Sequence, residues 1–240
     1  MTAGDPADWA DFFEAQLVPA VLALVLDAWG RMAKPAEDER EDATSDRLFR
    51  QMLSCKDRNR HPFLIRREDL ELDPDPAKEP GWKDIVFFPP ANDEDVYFCL
   101  EAKRLNARVR GVMKSLADEY VKEGMRRFVA ARYARRVVHG GMLGYVLDGD
   151  VPRAMSNVAD NVRTSHPALG MDPPGRWTDS PIRPADPYAK ETRHRRSSGP
   201  SPFRIHHLFV PGALAVKPAR GMKKYSQTAA APKPARKRKP

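Results

Sequence analysis

The sequence predicts an α/β fold, in which the strands of one sheet alternate along the chain with helices. Apolar runs rich in β-branched and aromatic residues, typical of strands, are separated by longer segments with helical periodicity. The chain has 240 residues, which is long enough to bury a core. We therefore expect one catalytic-sized domain over residues 36–212, preceded by a helical segment at 1–35 and followed by a tail at 213–240.

The first predicted element is an apolar helix at residues 9–32. Its densest part, residues 17–26, contains Pro19 as an interruption and has acidic flanks. A segment of this length with these flanks suits neither a membrane span nor a signal peptide. We expect a helix that packs in the core or at a dimer contact, and no membrane partner.

A second helix is predicted at residues 37–53, because its acidic start suits the positive end of a helix dipole. Glu41, Leu48 and Met52 are spaced by seven and four residues and so share one face. Glu41 is therefore the acid expected to face inward. A solvated acidic helix start is the other interpretation of this cluster, which also includes Asp42 and Asp46.

Three strands are predicted next. Residues 64–72 form the first, and an Asp-Pro-Asp-Pro run ends it. Residues 83–88 and 96–103 form the next two, and the turn formers between them predict an antiparallel hairpin. When this hairpin is folded about the middle of its turn, positions that add up to 185 face each other. Asp84 then lies opposite Glu101.

Charged residues stand at the ends of these two apolar runs, where burial is costly unless the charges are paired or hold a metal. Asp84 and Glu101 share a face of the sheet, and Lys103, two residues further on, joins them. Two carboxylates beside an ammonium suit a hard cation such as Mg²⁺, which binds oxygen ligands and is often completed by substrate phosphates. Such a site suits phosphodiester hydrolysis.

Asp84, the hairpin and Glu101-Ala102-Lys103 together resemble the D…(D/E)xK signature of the PD-(D/E)xK, or restriction-endonuclease-like, nuclease superfamily. The resemblance implies a mixed central sheet flanked by helices, with Asp84 and Glu101 as metal ligands and Lys103 as the catalytic lysine. It also implies Mg²⁺ as the cofactor, with Mn²⁺ as a second candidate. Members often supply a further acid from a preceding helix, here Glu41. An exposed hairpin with a surface Glu and Lys is the alternative.

Residues 115–137 are predicted to form a long helix, with Ser115 as its N-cap and apolar residues at helical spacing. Its second half is rich in arginine, which complements the helix dipole and equally suits contact with a phosphate backbone. The residues that we assign to nucleic-acid binding are Arg126, Arg127 and Arg132, with Lys237 and Arg238 in the tail.

The second half of the chain continues the alternation. Gly140-Gly141 is expected to break the helix, and residues 142–147 to form a buried strand that crosses over onto the same sheet. A helix at 151–162 follows. Residues 165–202 predict a long inserted loop before a last strand at 203–210. His206 and His207 point to opposite faces of that strand, so packing or surface roles are favoured over a shared metal site.

Positive charge is concentrated at the C-terminus. Residues 190–240 hold 14 Lys or Arg and one acid, so the first 189 residues hold 27 basic and 32 acidic residues. The tail at 213–240 is predicted to be flexible and disordered. Such tails attract nucleic acid without sequence preference, but they also bind acidic proteins or simply keep a protein soluble, so the tail alone does not predict nucleic-acid binding. The chain has two cysteines, one of them in a predicted buried strand, which argues against a disulfide framework and favours a cytoplasmic protein.

The sequence thus predicts a magnesium-dependent endonuclease that acts on nucleic acid, with DNA ahead of RNA by the family resemblance. Analogy with that family suggests an effector in microbial defence or restriction, working as a homodimer or with a partner subunit of a defence complex. The alternative is a catalytically silent protein that keeps the fold and binds nucleic acid or a partner subunit. The retention of Asp84, Glu101 and Lys103 together favours the enzyme.

Overall fold

A computed structural model describes residues 17–59, 61, 63–71, 81–89, 96–199 and 201–213. Over these residues the chain forms one mixed sheet of seven strands, flanked by four helices, and a separate two-stranded ribbon. The prediction of an α/β fold with a mixed central sheet flanked by helices is therefore confirmed.

The helices are α1 (Val18–Arg31), α2 (Glu41–Asn59), α3 (117–129) and α4 (Val151–Ser165). Helix α3 consists of an α-helical turn (Ala117–Glu119), a π-helical stretch (Tyr120–Met125) and a second α-helical turn (Arg126–Val129). The strands are β1 (Leu64–Leu70), β2 (Trp82–Phe88), β3 (Phe98–Leu105), β4 (Ala107–Val109), β5 (Val112–Lys114), β6 (His139–Val146), β7 (Thr178–Asp179), β8 (Ala189–His194) and β9 (Phe203–Pro211).

The sheet has the strand order β1-β2-β3-β6-β9-β8-β7. Its three central strands, β3, β6 and β9, run parallel, while the other pairs are antiparallel. Parallel neighbours need crossover connections, which α3 and α4 supply. These two helices pack against one face of the sheet, and α1 and α2 pack against the other. The fold therefore has three layers with an apolar core on each side of the sheet.

The register of the β2–β3 pair is the one that the sequence predicts. Ile85 faces Leu100 and Phe87 faces Phe98, so the paired positions add up to 185. The turn of the hairpin, residues 90–95, lies outside the described residues. The predicted strand at 64–72, the strand at 203–210 and the helix at 151–162 are likewise confirmed to within a few residues.

The boundaries of two early helices differ from the prediction. α2 begins at Glu41, four residues later than predicted, and continues to Asn59. Pro19 does not interrupt α1, because it lies in the first turn, where the missing N–H has no partner within the helix. Residues 9–16 of the predicted N-terminal helix lie outside the described residues.

The long arginine-rich helix is shorter than predicted. Ser115 does not cap it; Leu116, in the left-handed conformation with φ 55°, precedes the first turn, and no side chain caps it. The helix ends at Val129 rather than at residue 137. Gly140-Gly141 therefore does not break a helix but lies within β6, where a Cβ on Gly140 would come 2.5 Å from the ring of Phe128. A Cβ on Gly141 would come 2.3 Å from Leu100, so close packing explains both glycines.

The predicted loop at 165–202 contains two strands, β7 and β8. Periodicity missed β8 because most of its buried side chains, those of Glu191, Thr192 and His194, are polar. The hydroxyl of Thr192 lies 2.7 Å from His194 Nε2 and 2.8 Å from His207 Nε2, so hydrogen bonds replace apolar contacts there.

The two adjacent histidines of β9 are both buried. His206 Nε2 lies 3.0 Å from His139 Nδ1, and His207 Nδ1 lies 2.9 Å from the hydroxyl of Tyr120. Burial lowers the pKa of His206 to about 3 and holds the pKa of His207 well below its ordinary value. Both are therefore neutral packing residues at physiological pH. Separately, no helix in the described part of the chain has the length and apolar character to cross a bilayer.

Candidate functional site

The site lies where strands β2 and β3 diverge. Their backbone pairing runs as far as Ile85 and Leu100. Beyond that pair, the amide of Ala102 donates to Oδ2 of Asp84 at 2.8 Å, so a side chain takes the place of the next backbone acceptor. The carboxylate of Asp84 is thereby fixed at the fork between the two strands.

Lys103 occupies the centre of the site. Its Nζ lies 2.8 Å from Glu101 Oε1 and 3.1 Å from Glu41 Oε1, and it donates to the carbonyl of Ala102 at 2.8 Å. Glu41 is the first residue of α2, and its Oε2 accepts the amide of Arg104 at 2.9 Å. The start of α2 is therefore bonded directly to β3, and the inward orientation predicted for Glu41 is observed.

Glu101 is almost fully buried, with 1% exposure, and both of its oxygens have donors. Arg127 Nη1 donates to Oε1 at 3.0 Å, beside the ammonium of Lys103. The hydroxyl of Tyr133 donates to Oε2 at 2.8 Å. These partners offset the cost of burying the carboxylate. Without them, the buried charge would cost about 3–5 kcal/mol, by analogy with broken buried ion pairs.

The charges of the site alter its titration. Burial, and then the charge of Glu101, raise the pKa of Asp84 to about 7. Burial alone would lower the pKa of Lys103, but the charges of Glu101 and Glu41 outweigh it and keep that pKa above its ordinary value. Near neutral pH, Lys103 is charged while Asp84 is balanced between its two protonation states.

The structure brings together all four residues predicted to be catalytic, Glu41, Asp84, Glu101 and Lys103. The two other acids of the α2 start lie elsewhere. Asp46 pairs with Arg67, and Asp42 is exposed.

The arginines predicted to bind nucleic acid are divided by the structure. Arg127 is half-buried in the site, where it contacts Glu101 and Glu123. Arg126 and Arg132 are exposed, the first in the last turn of α3 and the second after its end. Lys237 and Arg238 lie outside the described residues.

Sequence reasoning missed Tyr133 as a partner of Glu101. On one continuous helix, Arg127 and Tyr133 would point about 120° apart. They reach the same carboxylate only because α3 ends at Val129 and the chain turns back through Ala131, which has φ 50°. No periodicity signal marks that turn, so the contact could not be found from spacing.

The donor set fits a hard cation that is held by two carboxylates. Asp84 and Glu101 offer oxygen, the element that Mg²⁺ prefers, and Mg²⁺ is often bound by one or two carboxylates. Oδ1 of Asp84 accepts no hydrogen bond within the described residues. Among these same residues, no group of three or more His, Cys, Asp or Glu side chains is arranged to hold a metal. A cation would therefore depend on water or phosphate oxygens for the rest of its shell.

A second buried lysine lies next to Asp84 in the sequence and has a different environment. Lys83 Nζ lies 3.1 Å from Asp69 Oδ2, 3.9 Å from Glu71 Oε1 and 4.4 Å from the ring centre of Tyr97. Glu71 Oε2 also accepts the amide of Ala134 at 3.0 Å. We call Lys83, Asp69, Glu71 and Tyr97 the closed cluster, because Lys83 is only 1% exposed.

Comparison of the chain with protein families, with curated proteins and with solved structures found no match.

Proposed function

We propose that this chain is a metal-dependent nuclease with a restriction-endonuclease-like core, and that it hydrolyses phosphodiester bonds in DNA rather than RNA. The supporting observation is the position of Lys103, whose ammonium contacts Glu101 and Glu41. It lies beside Asp84, whose ionised form is disfavoured by burial. Carboxylates from α2, β2 and β3 converge on one point at the end of a central parallel strand. Ligand sites of α/β sheets lie at this end of the strands.

The residues have separable roles in the proposed reaction. Glu41 and Glu101 hold the ammonium of Lys103, which orients the attacking water and donates to negative charge that develops on the phosphate. Arg127 is partly accessible and can contact a phosphate oxygen through its remaining N–H groups. A cation bound by Asp84 and Glu101 would polarise the phosphoryl group. The water oxygen bonds to phosphorus as the bond between phosphorus and the departing sugar oxygen breaks. The attacking water gives up a proton to solvent, and the departing sugar oxygen takes one up from solvent.

One observation favours the second candidate, a catalytically silent protein that binds nucleic acid or a partner subunit. Both oxygens of Glu101 are already occupied by Lys103, Arg127 and Tyr133. Glu101 would serve as a metal ligand only through its remaining lone pairs or after Lys103 turns away. In a silent protein the same contacts would be purely structural. The setting in microbial defence or restriction remains part of the proposal and is supported by resemblance alone.

The test is cleavage of plasmid, single-stranded DNA and RNA by the purified full chain in Mg²⁺, Mn²⁺ or chelator. The variant Glu101→Gln keeps the shape of the side chain and removes its charge. We expect DNA cleavage that requires the cation and is lost in Glu101→Gln. Folded wild-type protein that cleaves none of these substrates in either cation would support the silent candidate.

A matched pair of variants tests the role of α2. Glu41→Gln removes the acid that contacts Lys103, whereas Asp42→Asn removes the exposed acid next to it. We expect Glu41→Gln to lower cleavage and Asp42→Asn to leave it unchanged. Equal effects of the two variants would show that the contact with Lys103 has no catalytic importance.

A further inference from the structure

A short hairpin projects from the chain directly after the proposed site. Strands β4 and β5 pair Ala107 with Lys114 and Val109 with Val112, and they are not part of the main sheet. The hairpin begins four residues after Lys103, beyond Asn106, where φ is 47° and the chain turns away from β3. The amide of Asn106 donates to the carbonyl of Ser115 at 3.0 Å, so the base of the hairpin is closed directly at the end of β3.

The hairpin is positively charged and its outer part is exposed. Residues 104–114 contain four basic residues and no acidic one. Arg108 anchors the hairpin, because its Nη2 lies 2.8 Å from Glu37 Oε2. Arg110 and Lys114 are exposed and form no ion pair with any described residue, and Val112 between them is 62% exposed.

The turn of the hairpin contains an arginine in an unfavourable backbone conformation. Its two central residues, Arg110 and Gly111, have φ values of 50° and 81°. Such two-residue turns favour Asn-Gly, because asparagine tolerates a positive φ better than other side chains. An arginine there carries a cost that Asn or Gly would avoid. The turn nevertheless contains an arginine, which places its charge at the exposed tip of the hairpin.

We infer that the β4–β5 hairpin enters the major groove of duplex DNA beside the cleavage site, an inference that rests on the proposed function. The major groove is about 12 Å wide and admits a two-stranded ribbon, whose strands lie about 4.8 Å apart. The deep, narrow major groove of duplex RNA does not admit side chains in this way. The hairpin therefore selects duplex DNA over RNA and over single strands.

The reach of the hairpin agrees with this placement. Arg110 follows Lys103 by seven residues, so its backbone lies at most about 23 Å away at roughly 3.3 Å per residue. One turn of B-form DNA is about 34 Å long. The tip therefore contacts the duplex within one turn of the phosphate that lies at Lys103, where Arg110 and Lys114 meet base edges or phosphates of the groove.

Binding of fluorescent duplex DNA to the full chain in chelator tests the inference without requiring cleavage. The variants are Arg110→Gly, which also relieves the backbone strain, and Lys114→Ala. We expect each to weaken duplex binding about fivefold or more and to lower the salt dependence of binding by about one charge. The control is Arg163→Ala on α4, whose side chain is 56% exposed and paired with Asp160. Melting curves establish that every variant is folded.

The outcomes separate this inference from the proposed function. If Arg110→Gly and Lys114→Ala bind duplex DNA like Arg163→Ala, the hairpin inference is overturned, whether or not Mg²⁺-dependent cleavage is observed. Equal weakening for single-stranded DNA and duplex RNA also overturns it, because charge alone would then explain the loss. If binding weakens selectively for duplex DNA but wild type cleaves nothing in Mg²⁺, the nuclease proposal fails and the hairpin inference is upheld.

Discussion

Lys83 and Lys103 are both buried lysines beside two acids, yet their surroundings differ. Lys83, 1% exposed, lies over the ring of Tyr97 in the closed cluster. Lys103, 8% exposed, contacts Glu41, whose side chain is 29% exposed, and shares Glu101 with the accessible Arg127. A buried charge on its own therefore does not mark a functional site. What distinguishes Lys103 is an accessible border and a neighbouring acid whose ionised form is disfavoured.

The difference follows from position in the sheet. Lys83 lies on β2, where its contacts join β2 to β1 and to the chain near Ala134. Lys103 lies on the central strand β3, near the end where the neighbouring parallel strand β6 also ends. In open α/β sheets, ligands bind outside the carboxyl ends of the parallel strands. We therefore expect replacement of Lys103 to reduce cleavage and replacement of Lys83 to reduce stability.

The largest effect is expected from Lys103→Met, which keeps an apolar stem and removes the charge. We expect Mg²⁺-dependent cleavage to fall about 10²–10³-fold, because a donor to the developing negative charge is lost. Lys122→Met, at an exposed position on α3, is the matched control and should cleave like wild type. Cleavage is measured under single-turnover conditions. If Lys103→Met cleaves like wild type, Lys103 does not act in catalysis, and the proposed difference in function between Lys103 and Lys83 is disproved.

Lys83→Met should act on stability rather than on chemistry. Removing one member of a buried ion pair leaves Asp69 and Glu71 without that charge and is expected to lower the free energy of unfolding by about 3–5 kcal/mol. Cleavage per folded molecule should be unchanged. Denaturation in urea, together with cleavage normalised to the folded fraction, checks both statements. A stable but inactive variant would show that the two lysines belong to one site.

Asp84 should make stability depend on pH. The carboxyl titrates near 3.8 in the unfolded chain and near 7 in the folded chain. Between these values the folded state keeps a proton that the unfolded state has lost, so stability falls as pH rises and the loss is complete above 7. The fall should be at most about 4 kcal/mol. This fall in stability should vanish in Asp84→Asn and persist in Asp46→Asn. The free energy of unfolding, measured at pH 5 and at pH 8, distinguishes the two variants.

The smallest effect concerns the cation itself. A cation bound at Asp84 would offset the repulsion from Glu101 and would compete with the proton, so we expect Mg²⁺ to stabilise the folded chain more at pH 8 than at pH 5. At ten times its dissociation constant it adds about 1.4 kcal/mol, or roughly 3–5 °C in melting temperature. Asp84→Asn should lose this gain. An equal gain in that variant would place Mg²⁺ elsewhere on the chain.

Much of the site could be predicted because its signals are local. The register of β2 and β3 depends only on the position of the turn, and the inward direction of Glu41 follows from its spacing to Leu48 and Met52. The contact of Tyr133 with Glu101 depends on a chain reversal after α3, which has no periodicity. β8 was missed because polar residues fill most of its buried positions. The contact of Tyr133 with Glu101 and the strand β8 both depend on tertiary hydrogen bonds rather than on local propensity.

The last strand in the described part of the chain, β9, lies in the interior of the sheet, between β6 and β8. During synthesis one edge of β6 therefore stays unpaired until residues up to 211 have been made. The sheet cannot be completed strand by strand in the order of the chain. Loss of residues 203–211 would remove the middle of the sheet rather than a dispensable end. Unfinished chains thus lack a completed scaffold beneath Lys103, so the order of synthesis itself delays the assembly of the site formed by Glu41, Asp84, Glu101 and Lys103.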